Sequence, residues 1–215
     1  MNKLFENNKV SLIGTIESTF EFDHEVYGEG FYIADVAVER LSGVVDYIPV
    51  LFSERMIDVN TDYRGYIVSI TGQYRSYNKF DGQKRRLLLS VFAKEIEFLD
   101  DLIINPESNS ISLSGYICKK PVYRKTPFGR EVADLTIAVN RLYKKTDYIP
   151  CICWGRNSVF ASNLSAGTKI SIIGRIQSRE YIKRIDDETT EKRIAYEVSI
   201  SSIRLAEVND EKENN

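Results

Sequence analysis

The chain repeats itself at the scale of a domain. Asp46-Tyr47-Ile48-Pro49 returns as Asp147-Tyr148-Ile149-Pro150, Ala37-Val38-Glu39-Arg40-Leu41 as Ala138-Val139-Asn140-Arg141-Leu142, and Val10-Ser11-Leu12-Ile13-Gly14 as Ile111-Ser112-Leu113-Ser114-Gly115. All three pairs share one offset of 101 residues. That period is far longer than a solenoid repeat, so the chain is expected to hold two copies of one globular domain rather than an array. Each copy is long enough for a modest core without disulfide or metal staples. The expected domains are residues 1–100 and 110–206, with a linker over 101–109 and an acidic, disordered tail over 207–215. In the linker, Leu102-Ile103-Ile104 predicts partial packing.

The two copies differ in charge. Residues 1–104 carry 11 Lys and Arg against 17 Asp and Glu, whereas residues 105–206 carry 17 against 10. The whole-chain net charge of −2 therefore hides an acidic first domain and a basic second one. Neither a membrane-spanning apolar run nor a leader pattern occurs, which predicts a cytoplasmic, nucleoid-associated protein and no membrane partner.

Alternating apolar residues predict five strands per copy. In the second copy these are Ile111–Ile117, Val132–Asn140, Tyr148–Trp154, Lys169–Arg179 and Ala195–Ile203. In the first they are Val10–Ile16, Phe31–Arg40, Tyr47–Phe52, Gly65–Ser76 and Arg86–Phe92, with residual pattern to Phe98. Short helices are predicted over Glu54–Asn60 and Asn157–Asn163. Five strands with a helix between the third and fourth describe an all-β chain of two tandem OB-fold barrels, five-stranded Greek-key units joined by a short linker.

Strand periodicity puts Tyr148, Pro150, Ile152 and Trp154 on one face and Ile149, Cys151 and Cys153 on the other. Both are apolar, and only one can face the core. An outward row of rings would stack bases; an inward one would merely fill the barrel. Arg175, Gln177, Arg179 and Tyr181 share a face of the next strand, and Lys183 and Arg184 extend it. The loop after the first strand carries Lys119, Lys120, Arg124, Lys125 and Arg130 around Tyr123 and Phe128, a pattern suited to phosphates and bases together. Its first-copy counterpart carries Glu17, Glu21, Asp23, Glu25 and Glu29 around Phe20, Phe22 and Tyr27, which would repel phosphate. Ser53 stands where Trp154 falls, and Phe52 could replace the indole only through a bulge. Tyr47, Arg75, Tyr77 and Lys79 are the residues through which the first copy could still touch a strand.

No catalytic constellation is present, so the chain is read as a non-enzyme without cofactor. Cys151 and Cys153 lack a second ligand pair and read as buried thiols rather than a metal site. His24, isolated among acids, reads as an exposed loop residue, and Gly28 and Gly30 as turn residues.

The second copy resembles the bacterial single-stranded DNA-binding protein family. The resemblance lies in the Ile111–Gly115 strand, Pro127-Phe128-Gly129-Arg130-Glu131-Val132-Ala133-Asp134-Leu135, Ala138-Val139-Asn140-Arg141, Ile152-Cys153-Trp154-Gly155-Arg156 and the strand from Lys169 to Arg179. It implies base stacking on Tyr148, Trp154 and Tyr181, an aromatic role for Tyr143 in the loop after the second strand, and phosphate contacts from nearby cations, Arg141 and Arg156 among them. It also implies a homodimer supplying four OB domains. The tail lacks the phenylalanine-containing hydrophobic tip by which family members dock partners. Three readings follow: single-stranded DNA binding in replication, recombination or repair; a protein-interaction module in which domain 1 meets a protein; and RNA binding.

Overall fold

The computed structural model describes residues 7–81, 84–184 and 189–206, without the side chains of residues 80, 81, 84, 85 and 143. The acidic tail 207–215 and the side chain of Tyr143 thus lie outside the described residues.

The first barrel comprises β1 (Asn8–Ile16), β2 (Glu21–Val26), β3 (Glu29–Glu39), β4 (Val45–Ser53), β5 (Ile67–Asp81) and β6 (Lys84–Leu99). The second comprises β7 (Asn109–Ile117), β8 (Val122–Lys125), β9 (Glu131–Asn140), β10 (Thr146–Trp154), α1 (Arg156–Ser162), β11 (Lys169–Arg184) and β12 (Thr190–Leu205). The five expected strands are present in each copy, and a sixth is added: the loop after the first strand is itself a strand, β2 or β8, paired along β3 or β9. The last two strands of each copy run far past the barrel as a long two-stranded arm.

Alternation explains which face is inside. Val36, Val38, Ile48, Val50, Val68 and Ile70 are wholly buried in the first copy, as are Ile137, Val139, Ile149, Ile170 and Val198 in the second. A glycine near the end of the repeated first strand lets each barrel close. A Cβ on Gly14 would lie 2.3 Å from the Ala37 carbonyl oxygen, and one on Gly115 2.3 Å from that of Ala138. No side chain fits where these strands cross.

The helix expected over Glu54–Asn60 is replaced by turns. Asp58 accepts hydrogen bonds from the Asn60 and Thr61 region, and Asp62 from the Arg64 backbone. Such short polar side chains satisfy the backbone locally and compete with helix. Ile57 still plugs the barrel end, as Ala161 of α1 does in the second copy. The linker is also less packed than expected: Leu102, Ile103 and Ile104 are all exposed. It closes on a short 3-10 turn, Pro106–Ser108, capped by Asn105.

The two barrels form one twelve-stranded sheet, in the order β2-β3-β4-β6-β5-β1-β7-β11-β12-β10-β9-β8, closed by β3–β1 and β7–β9. The order is the same from either end. At its centre β1 and β7 pair antiparallel, and Val10 lies opposite its own repeat equivalent, Ile111. A pseudo-twofold axis passes through that pair, as it would in an isologous dimer.

The repeated Asp-Tyr-Ile-Pro motif supplies the second joint. Asp46 is wholly buried; it takes two 2.6 Å hydrogen bonds from Arg40 and reaches into the other barrel, accepting from the Ser178 backbone N–H at 2.7 Å and hydroxyl at 2.9 Å. Asp147, also wholly buried, accepts from the Ser76 backbone N–H at 2.7 Å and lies 3.0 Å from Arg141 Nε. The Ser76 hydroxyl in turn accepts from Tyr148 N–H at 2.8 Å. Each copy's motif therefore latches the other copy's long strand. Within each barrel, Asn8 and Asn109 bind the backbone of Tyr74 and Ile176 through both their amide nitrogen and oxygen.

Candidate nucleic-acid interface

On β10 the inward residues are Ile149, Cys151 and Cys153, all buried. The opposite face looks out, with Tyr148 at 46% and Trp154 at 40% exposure and Ile152 covered between them. Burial pushes the Cys153 thiol up to about 12 and raises the Cys151 thiol well above its ordinary value, which fits inert core sulfur. Among the described residues no group of three or more His, Cys, Asp or Glu side chains comes together to hold a metal.

Trp154 borders an open cleft of ≈ 760 Å³, together with Arg130 and Arg175. Arg130 comes from the turn before β9 and Arg175 from β11, so three elements converge on the indole. The far wall belongs to the first copy: Glu39, Arg40, Leu41 and Ser42. Burial and the neighbouring Arg40 lower the Arg175 pKa, a sign of cations held close together. Gln177 is buried and donates to Glu197 at 2.9 Å; Arg179 stands 3.7 Å from the same carboxylate and 5.8 Å over the Tyr181 ring. Tyr181, Lys183 and Arg184 lie exposed along the arm beyond.

The remaining expected cations divide. Lys125 and Arg130 are exposed, as are Lys119 and Lys120. Arg124 is tied to Asp134 at 2.9 Å, and Tyr123 donates to Glu131 at 2.7 Å. Arg141 faces the Asp147 latch at the domain junction. Arg156 opens α1 and is exposed, but it does not line the Trp154 cleft.

The first copy is built differently at the same place. Phe52 faces the core, wholly buried edge-on against Phe20, so no bulge turns it outward. Ser53 is buried too and donates to the Glu29 carboxylate. Glu29 is the repeat equivalent of Arg130. Where the second copy sets an indole beside a guanidinium, the first sets a hydroxyl against a carboxylate. Tyr47 and Tyr77 remain exposed at 49% and 40%. Lys79 is exposed, and Arg75 lies half-buried with its guanidinium 3.7 Å over the Phe92 ring.

The sequence pattern missed several ring contacts here. His24 is a residue of β2, not of a loop, and stacks on Phe31 at 5.0 Å and 13°. Phe31 touches Phe92 at 5.7 Å. Gly28 serves the β2–β3 turn at φ 77°, whereas Gly30 lies within β3. The latch role of Asp46 and Asp147 was also unread, although an acid repeated in an apolar strand was its visible signal.

Residues 108–206 match the Single-strand binding protein family. Single-stranded DNA-binding protein 1 of Staphylococcus aureus is 32% identical over 113 residues, covering 49% of this chain and 65% of its own length. Single-stranded DNA-binding protein A of Bacillus subtilis is 31% identical over 106 residues, covering 46% of this chain and 59% of its own. The chain thus spans less than two thirds of these relatives. In overall shape it resembles the wild-type single-stranded DNA binding protein of Thermus aquaticus, with a TM-score of 0.71 at 23% identity over 93% of both chains. A deletion variant of that protein gives 0.73 at 21% identity, over 96% of this chain and 97% of the other. The shared fold therefore extends over both barrels of this chain.

Proposed function

We propose that this chain, which belongs to the single-strand binding protein family through its second domain, binds single-stranded DNA without regard to base sequence. One observation carries the reading: the outward Trp154 indole shares an open cleft with Arg130 and Arg175. Stacking on such a ring contributes about 1–3 kcal/mol per base and accepts every base, because every base has a π-face. The neighbouring cations neutralise phosphates and release counterions, which makes affinity fall with salt. Tyr148 and Tyr181 extend the stacking surface; Arg179, Lys183, Lys125 and Arg130 line the backbone path. Arg124 and Arg141 contribute less to DNA, being engaged by Asp134 and Asp147.

Binding of this kind needs no catalytic group or cofactor, and the protein acts in the cytoplasm, at the nucleoid, in replication, recombination or repair. One chain already holds two barrels in the pseudo-twofold arrangement, so a homodimer would present four. The acidic first barrel, with Phe22 and Tyr27 exposed on its hairpin, is the surface a basic protein partner would meet.

The test uses Trp154, the chain's single tryptophan. Titration with a poly-dT oligonucleotide at low and moderate salt is expected to quench its emission saturably, with weaker binding at higher salt. An unchanged signal, with no shift in oligonucleotide mobility, would leave protein interaction as the function. Competition between matched DNA and RNA oligonucleotides separates the two nucleic acids.

A further inference from the structure

The sheet ends in two strands that carry no core. β2 pairs with β3 and β8 with β9, no other described strand pairs with either, and every residue of both is exposed. The barrels are closed without them, by β3–β1 and β7–β9. Each strand therefore offers an unpaired row of backbone N–H and C=O groups, a template for one strand more.

The two edges are opposite in sign. β2 reads Glu21-Phe22-Asp23-His24-Glu25-Val26, whereas β8 reads Val122-Tyr123-Arg124-Lys125 and follows Lys119 and Lys120. Arg124 is tied to Asp134, which leaves the three lysines exposed around it. On the acidic edge, burial and the nearby Glu21 raise the Asp35 carboxyl above its ordinary value, so like charges already crowd there. Apolar side chains accompany both edges. Phe22, Val26 and Tyr27 are exposed on the first; Val122 is exposed on the second, as are Val159 and Phe160 of α1, which packs against β8.

Charge and bulges are the usual means by which an edge strand is kept from pairing, and β2 has both, with a register shift between Phe22 and His24. Charge of one sign, however, blocks only an edge of the same sign. β2 against β2 and β8 against β8 repel, whereas β2 against β8 attracts, since opposite charges on facing strands stabilise the pair. Two identical copies would have offered like-charged edges alone. Divergence of the copies turned the two ends of the sheet into complements.

We propose that β2 of one copy adds edge to edge to β8 of another, so that chains join head to tail and the sheet continues from chain to chain. The contact is heterologous and propagates past a pair. Main-chain hydrogen bonds supply the attachment, the charges select the partner edge, and the exposed apolar residues of the two edges cover one another. The basic protein that meets the acidic hairpin is then a second copy of this chain; the proposal rests on the reading of that hairpin as a protein surface and not on DNA.

Sedimentation velocity of the full chain without DNA, from micromolar to millimolar concentration at low salt, tests it, with hydrogen exchange read on the same samples. Mean mass should rise beyond twice that of the chain and fall back when salt screens the edges. Exchange should slow at residues 21–26 and 122–125 as concentration increases. Glu21→Lys with Glu25→Lys makes both edges basic, and Lys120→Glu with Lys125→Glu makes both acidic; all four residues are exposed. Each double variant alone should lose the growth. An equimolar mixture should restore it, because a basic β2 then faces an acidic β8 and the reverse. If a double variant folds poorly, the wild-type exchange pattern still decides. A mass that stops at one or two chains at every concentration overturns the proposal. Growth retained by either double variant alone, or not restored by mixing the folded variants, overturns the edge pairing, as does protection confined to other segments. No strand is present, so none of these outcomes touches the single-strand reading.

Discussion

The two barrels share every strand and every joint, yet they differ at the end of one strand. In the second, Trp154 stands outward beside Arg130; in the first, Ser53 turns inward to Glu29. A duplicated fold keeps what closes the barrel and joins the copies: the crossing glycines, the Asn clamps and the buried aspartates. It is free to change what faces solvent. Fold and site are thus separable down to the single residue, with Phe52 and Cys153 alike in the core and their neighbours opposite in role.

The largest effect should come from the joint that both copies share in form but not in quality. Asp46→Ala strands Arg40 and the Ser178 backbone N–H at a buried position, a loss of about 3–5 kcal/mol in urea-unfolding free energy. Asp147→Ala should cost clearly less, because the Arg141 Nε is not aligned on its carboxylate. Equal losses would mean that the two latches are energetically equivalent and that the asymmetry has no weight.

Next comes the ring platform. Trp154→Ala should weaken poly-dT binding by about 1–3 kcal/mol, the range for removing one stacked base contact. Tyr148→Ala should fall within or below that range, and Tyr47→Ala below Tyr148→Ala. A larger loss from Tyr47→Ala, measured by anisotropy under identical salt, would reverse the ranking of the barrels.

Much of this difference was readable from strand periodicity, and the rest was not for identifiable reasons. A period of two separates Trp154 from Cys153 without any structure, and the same period places Arg175 with Tyr181. β2 and β8 were hidden because every residue of both is exposed, so they carry no buried face to alternate. At Glu54–Asn60 the apolar Met56, Ile57 and Val59 pack on the core from turns rather than from the expected helix, because Asp58 and Asp62 satisfy the backbone locally. The joint between the barrels was out of reach, since Asp46 meets Ser178, and Asp147 meets Ser76, only after the pseudo-twofold pairing of β1 with β7.

Phosphate neutralisation can be apportioned more finely. Lys125→Gln should lower the salt slope of single-strand binding by about 0.7, the value for one lost phosphate contact. Arg124→Gln, whose guanidinium already faces Asp134, should lower it by less. Identical changes would show that the Arg124–Asp134 pair opens on DNA.

The smallest effect isolates one side of the joint by pH. Burial holds the Asp147 carboxyl above its ordinary value of 3.8, against the opposing pull of Ser76 and Arg141. The folded chain therefore keeps this proton to higher pH than the unfolded chain does. Between the two values the native state binds more protons, so this residue's contribution to stability declines as pH rises through that window. Asp147→Asn cannot ionise and loses that decline. Urea titrations of both proteins across the acid range should show a difference in unfolding free energy that changes with pH by at most about 1.4 kcal/mol per unit. A pH-independent difference would mean that Arg141 fully compensates the buried charge, making the second latch as complete as that of Asp46.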